Sequence, residues 1–102
     1  MEHGFALLAW QNQQAIACIC GHIYDKPEST HSPVGIIYNL WVEPEGRRRG
    51  LATQLVKNTE IKLKEVGAKS FQVAWRNDPI AEQFWQSLGY GGYEILGGKL
   101  AH

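Results

Sequence analysis

The segment "VGIIYNLWVEPEGRRRGLATQLV", residues 34–56, changes its hydrophobic period half-way along. Up to Val42 the apolar residues follow the alternation of a strand, and from Leu51 they recur at three and four, as on a helix. Between the two lie Pro44, Gly46, three arginines and Gly50. Pro44 has no N–H to give a ladder, so the strand must end there. The chain is thus committed to a strand, a tight basic loop and a helix in direct succession. If a further strand follows in the same sheet, a right-handed crossover makes it parallel to the first.

On the strand, alternation puts Val34, Ile36, Tyr38, Leu40 and Val42 on one face and Ile37, Asn39 and Trp41 on the other. Both faces are apolar enough to be partly buried. On the helix, Leu51, Leu55, Thr59 and Leu63, with Ala52, Val56 and Val66, trace one stripe, and Gly67 suits the C′ position. "SFQVAW", residues 70–75, is the short strand that the crossover returns to. "NDPIAEQFWQSLG" is a second helix, with Asp78 as N-cap and Pro79 at N1. Its apolar stripe is Ile80, Ala81, Phe84, Trp85 and Leu88, and Gly89 stops it.

Upstream, "FALLAWQ" and "QAIACICGHIY" read as a hairpin around the polar turn "QNQQ", and "DKPESTHSP" reads as a loop. Downstream, "YEILGGKLA" reads as one last strand, bent or bulged at Gly97-Gly98. The order is β-β-β-α-β-α-β. The expected fold is α+β (α/β), a mixed and mostly antiparallel sheet of about five strands with two main helices. Residues 1–102 are expected to form a single domain.

Lys plus Arg equals Asp plus Glu at 10 each, so the formal net charge is zero. That argues against a general binder of nucleic acid or of membrane surfaces, which would carry a basic excess. No apolar run reaches the length of a membrane span. The start "MEHGFALLAW" has an acidic residue where a secretory leader has basic ones, and cytoplasm is the expected location. Cys18 and Cys20 share one face of a strand, and no spacing supplies further metal ligands. They are expected to be buried thiols acting as small hydrophobes.

The arginine cluster is therefore local, and its position gives it meaning. The first turn of a helix carries unpaired N–H groups and the positive end of the helix dipole. A tight loop there can aim several N–H groups at one anion, and phosphate or pyrophosphate is the usual guest. Gly50 lets a ligand approach the backbone, and Ala52 keeps the first turn open. The plain alternative is a solvated basic turn that binds nothing. Two known phosphate loops do not fit: the Gly-Lys-Ser/Thr of the P-loop and the three spaced glycines of the dinucleotide fingerprint are both absent.

Arg47-Arg48-Arg49-Gly50-Leu51-Ala52 matches Arg/Gln-x-x-Gly-x-Gly/Ala. It resembles the pyrophosphate loop of the GNAT superfamily, the acetyl-CoA-dependent N-acyltransferases. "YNLWVEPEGRRRGLATQLV" resembles that family's strand, Val-x-Pro turn, loop and helix in unbroken order, and "AEQFWQSLGY" resembles its late helix, which usually ends in Tyr-x-x-x-Gly-Phe. The likeness runs over about residues 5 to 100.

That resemblance implies an N-acetyltransferase that moves acetyl from acetyl-CoA to a primary amine by direct attack in a ternary complex, with no metal. It implies that the N–H groups of Arg48, Arg49, Gly50, Leu51 and Ala52 hold the CoA pyrophosphate, with Arg47 opening the motif. It implies that Leu40, Trp41 and Val42 pair with the pantetheine arm and polarise the thioester carbonyl, in the gap beside "SFQVAW". Asn77 and Asp78 stand near a family asparagine that touches the cofactor. The amine, with a pKa around 10, needs a base. Glu43 and His22 are the candidates. Where the family often has a tyrosine that protonates the leaving thiolate, this chain has Trp85, whose indole N–H is no proton acid at neutral pH. Tyr38 and Tyr90 are possible substitutes. The family's first strand and two helices, which wall the acceptor site, have no counterpart here, so the domain reads as N-terminally abbreviated and homodimerisation as a way to cover the open edge. The alternatives are a non-catalytic CoA-binding or interaction module and a plain α+β domain.

Overall fold

The computed structural model describes residues 3–25, 32–47, 50–75, 78–93 and 96–100. The elements are β1 (His3–Gln11), β2 (Gln14–Tyr24), β3 (Val34–Val42), a 3-10 turn (Pro44–Gly46), α1 (Leu51–Glu65), β4 (Ser70–Ala74), α2 (Pro79–Ser87), β5 (Gly91–Tyr93) and β6 (Leu96–Leu100). The strands make one six-stranded sheet in the order β1-β2-β3-β4-β6-β5. Only β3 and β4 run parallel, joined through α1, and every other neighbouring pair is antiparallel.

The first hairpin closes on Asn12 and Gln13, both at positive φ (52° and 66°). Two left-handed residues make a two-residue turn whose twist matches the flanking strands. Both helix punctuations hold. Asp78 Oδ1 accepts from the Ala81 N–H at 2.8 Å, and Pro79 begins α2. Gly67 and Gly89, past the ends of α1 and α2, take positive φ.

The end of the chain departs from the sequence reading. The single bent strand over 93–101 is instead a hairpin of two strands, so the sheet has six strands and not about five. Gly97 and Gly98 are not a bend. They sit in the ladder, opposite Val73 and Gln72 of β4 on one side and Gly92 and Gly91 of β5 on the other. Glycine weakens the strand pattern, which hides β5 in the run "GGY".

One face of the sheet carries the core. Ala17, Ile19 and Ile23 of β2, Ile37 of β3 and Phe71 and Val73 of β4 pack with Leu55, Val56 and Leu63 of α1 and Trp85 of α2. Val66 does not continue the α1 stripe. It is the C-cap residue and stands 53% exposed. The opposite face is open: Leu8 and Trp41 are 48% and 45% exposed. Cys18 and Cys20 belong to that open face and are half-buried, so they are not the core thiols that the sequence suggested. Alternation explains it, because Ala17, Ile19 and Ile23 already fill the inward positions of β2.

α1 lies directly on two strand glycines. A Cβ on Gly35 would stand 2.8 Å from Leu63 Cδ1 and 3.1 Å from Phe71 Cδ1, and one on Gly21 would stand 2.9 Å from Phe5 Cζ and 3.1 Å from Thr59 Cγ2. Leu63 and Thr59 have no room to retreat, being fully buried. Gly35→Ala is therefore expected to destabilise the fold by about 1–3 kcal/mol, as overpacking does. Urea unfolding would read this as a lower midpoint at unchanged slope, and an unaltered midpoint would show that α1 can lift.

Candidate functional site

β3 and β4 pair only from Val34 opposite Ser70 to Ile37 opposite Val73. Beyond that β3 stays with β2, up to Val42 opposite Ala17, while β4 stays with β6, up to Ala74 opposite Leu96. Two neighbouring strands held by different partners must part. A cleft of about 910 Å³ opens between them. Tyr38 to Val42 form one wall, Val73 to Trp75 the other, and Gly50 to Thr53 close one end. Asp78, Ile80, Phe84 and Trp85 bring α2 against it.

The β3 wall is broken by a bulge. Cys18 pairs with Trp41 and Cys20 with Tyr38, so Ile19 alone faces both Asn39 and Leu40. Asn39 takes the extra position with φ 55°. A bulge leaves one residue outside the ladder and turns the strand, so backbone polar groups here are available to something lying in the cleft. It also resets the alternation. Leu40 and Val42 pack toward the core, while Tyr38 and Trp41 are exposed. The sequence reading, which kept Tyr38, Leu40 and Val42 on one face, is corrected by this one inserted residue. Asn39 was missed as a site residue. Its trace in the sequence is faint: an asparagine amid apolar strand residues, of the type that tolerates left-handed φ.

The closed end is built from backbone. The Glu43 N–H donates to the Ile16 carbonyl at 2.7 Å, and Gly46 N–H to the Glu43 carbonyl at 2.9 Å. Arg47 donates twice, from its backbone N–H to the Pro44 carbonyl and from Nε to the Val42 carbonyl at 3.0 Å. These bonds pin the turn to the end of β3. Gly50 then precedes α1 at φ 72°, with no side-chain cap and no acidic residue in the first turn. The first hydrogen bond to Gly50 comes from the Gln54 N–H at 3.0 Å, so the N–H groups of Leu51, Ala52 and Thr53 have no partner within the helix. A Cβ on Gly50 would meet nothing within 4 Å. An open, positive, side-chain-free helix start of this kind suits a phosphate or diphosphate.

The sequence candidates separate clearly. Leu40, Trp41, Val42, Arg47, Gly50, Leu51, Ala52 and Asp78 all line the cleft, and so do Tyr38 and Trp85. Arg48, Arg49 and Asn77 lie outside the described residues. Glu43 and His22 are not among the lining residues. The Glu43 backbone is spent on the turn, and His22 stands on the open face, its ring edge-on to Tyr38 at 6.0 Å.

Trp85 is buried between Phe84 and Tyr90, edge-on to each at centroid distances of 5.1 and 5.3 Å. Tyr90 is not a cleft residue. Its hydroxyl donates to Glu60 Oε2 on α1 at 2.7 Å, which ties the segment after α2 to α1. Burial first, and then the Glu60 carboxylate, raise the Tyr90 phenol well above its ordinary value, so it keeps its proton. That removes Tyr90 from the possible proton donors for the cleft. Among the described residues no group of three His, Cys, Asp or Glu side chains could hold a metal ion, and no helix is long and apolar enough to cross a membrane.

The acetyltransferase (GNAT) family model matches residues 1–90. The chain belongs to the GNAT family. Among similar proteins of this family, the aminoglycoside N(6')-acetyltransferase type 1 of Acinetobacter haemolyticus is 32% identical over 92 residues, covering 87% of this chain and 63% of that protein. Its counterpart in Acinetobacter baumannii is 37% identical over 92 residues, covering 86% and 63%. The chain thus spans under two thirds of the length of these relatives. The crystal structure of aminoglycoside antibiotic 6'-N-acetyltransferase AAC(6')-IG from Acinetobacter haemolyticus superposes with a TM-score of 0.75 at 31% identity, covering 89% of this chain and 65% of that one. AAC(6')-Iy in complex with CoA matches at a TM-score of 0.77 and 23% identity, over 87% and 69% of the two chains, which shows the shared GNAT fold.

The bulge at Asn39 gives this subsection its test. Asn39→Gly should leave stability unchanged or slightly raised, because glycine accepts positive φ. Asn39→Val should cost about 1–3 kcal/mol, the price of a strained left-handed backbone. Thermal unfolding of the two variants checks it, and equal midpoints would mean that the strand can shed its bulge.

Proposed function

We propose that this chain carries out N-acetyl transfer from acetyl-CoA to a primary amine, with the cleft between β3 and β4 as the site. The observation that carries the reading is the parting of those strands directly above an uncapped helix start at Gly50. It supplies a long slot with an anion site at one end, the shape and charge of a nucleotide thioester. Acetyl-CoA, when bound, supplies an acyl thioester that an amine attacks directly. The N–H groups from Gly50 to Ala52 would hold the diphosphate, joined by those of Arg48 and Arg49, while the wall of Leu40, Trp41 and Val42 would align the pantetheine arm. A backbone N–H at the bulge would face the carbonyl oxygen, where charge develops. Asp78, and Asn77 beside it, would border the arm from α2.

Proton handling falls to side chains. Tyr38 is the hydroxyl-bearing candidate that lines the cleft and is exposed to it, so we assign it the proton for the leaving thiolate. Glu43 and His22 are the bases to test, acting through water. The relatives' acceptors are aminoglycosides, and an aminoglycoside amine is the first acceptor we propose, with the sugar stacked on the exposed Trp41 ring. A second reading, a CoA-binding module without turnover, draws on one observation: Trp85 stands buried among aromatic rings where a tyrosine acid would serve.

Two measurements test these assignments. Calorimetry should show saturable binding of acetyl-CoA that Gly50→Glu abolishes, since the glutamate puts a negative charge into the open space before α1. No binding by the unaltered chain would sink both readings together. Turnover should then be followed by thiol release with an aminoglycoside that bears a 6′-amine. Tyr38→Phe should lower kcat by about 10²–10⁴-fold, the range of acid–base assistance, with little change in acetyl-CoA affinity. CoA binding with no turnover on any amine would favour the module.

A further inference from the structure

Cys18 and Cys20 are the nucleophilic pair that acyl transfer leaves unused. They occupy alternate positions of β2 on the open face, half-buried and not joined in a disulfide. Across the ladder Cys18 lies between Leu8 of β1 and Trp41 of β3, and Cys20 between Ala6 and Tyr38. The slot is apolar on both sides. The two thiols are in hydrogen-bonding contact with one another.

The spacing favours an ion between the sulfurs over a bond between them. Residues two apart on a strand have Cα atoms about 6.7 Å apart. That is the upper end of the disulfide window of about 4.4–6.8 Å. Two thiolates on one ion need sulfurs only about 4.6 Å apart, taking metal–sulfur bonds of about 2.3 Å as in zinc sites. The side chains already point at each other. Two thiolates without a third ligand suit a soft ion that accepts linear coordination, and soft sulfur ligands select Cu(I). Burial and the neighbouring thiol both push the Cys18 thiol up, so the empty pair stays neutral. A cation between them offsets that cost.

We propose that Cys18 and Cys20 form a two-thiolate site for a soft monovalent ion, with Cu(I) as the guest, on the open face of the sheet. Two S–H bonds break, two S–Cu bonds form, two protons pass to solvent, and the copper keeps its oxidation state. Affinity rises with pH, because the ligands must lose their protons.

The test titrates the reduced full chain with Cu(I) under argon against a chromophoric Cu(I) chelator. The unaltered chain should withdraw one equivalent, shield both thiols from a thiol reagent and lose part of its tryptophan emission. Trp41, next to Cys18 in the ladder, should carry that loss, so Trp41→Phe should remove most of the quenching. Cys18→Ser and Cys20→Ser should each lose the uptake while keeping the far-ultraviolet circular dichroism and acetyl-CoA binding of the parent. His22→Ala should keep the uptake. Failure of the unaltered chain to withdraw copper overturns the proposal. So does uptake that survives replacement of both cysteines, or that is lost in His22→Ala.

Discussion

The seat of α1 on the backbone of β2 and β3 fixes the rest of the molecule. Gly21 and Gly35 leave no side chain between helix and sheet, and Leu55, Val56, Thr59 and Leu63 fill the contact. Close-packed interiors do not slide continuously, because each shift opens a void or forces an overlap. The helix start is thereby set at the end of β3. The Glu43 and Arg47 hydrogen bonds then hold the intervening turn. An anion arriving at Gly50 finds N–H groups already aimed, so little ordering has to be supplied on binding.

The cleft follows from how the sheet is shared out. β3 is bound along most of its length to β2, and β4 along its whole length to β6, but β3 and β4 hold each other over only four residue pairs. A parallel pair is slightly weaker per residue than an antiparallel one, so each strand keeps its antiparallel partner where the two demands conflict. The opening lies between two strands tied into the sheet and owes nothing to a loop. Its walls are as rigid as the sheet, and the bulge at Asn39 adds unpaired backbone to one of them.

Much of this was readable in the residues. The change of period across Pro44 to Gly50, the Asp78–Pro79 start and the stops at Gly67 and Gly89 are local chemistry, and local chemistry is what a sequence displays. The same holds for the backbone anion site, because glycine without a capping side chain before a helix has few other uses. Three things were not readable. β5 is three residues of mostly glycine, stabilised by its partner and not by its own propensity. The bulge is set by pairing with β2, and one added residue reverses the face of everything after it. The open face of β2 cannot be told from the buried one by composition, since Cys18 and Cys20 are as apolar as Ala17 and Ile19 opposite them.

The two halves of the proposed site rest on different parts of the chain. Recognition of the nucleotide end is almost wholly main-chain work, so it tolerates the varied side chains that Arg48 and Arg49 represent. Proton transfer has no such freedom, since it needs a particular group in a particular place. α2 cannot provide it: Trp85 is a buried aromatic, and the nearby hydroxyl of Tyr90 is held by Glu60 as a brace between α1 and the segment after α2. A phenol that both burial and a carboxylate keep protonated is a poor participant in a proton cycle, because it cannot be emptied and refilled near neutral pH. The burden therefore shifts across the cleft to β3. There Tyr38 sits just before the bulge, exposed, with its ring steadied by the edge of His22. In this chain the strand that aligns the thioester is also the strand that must supply the proton.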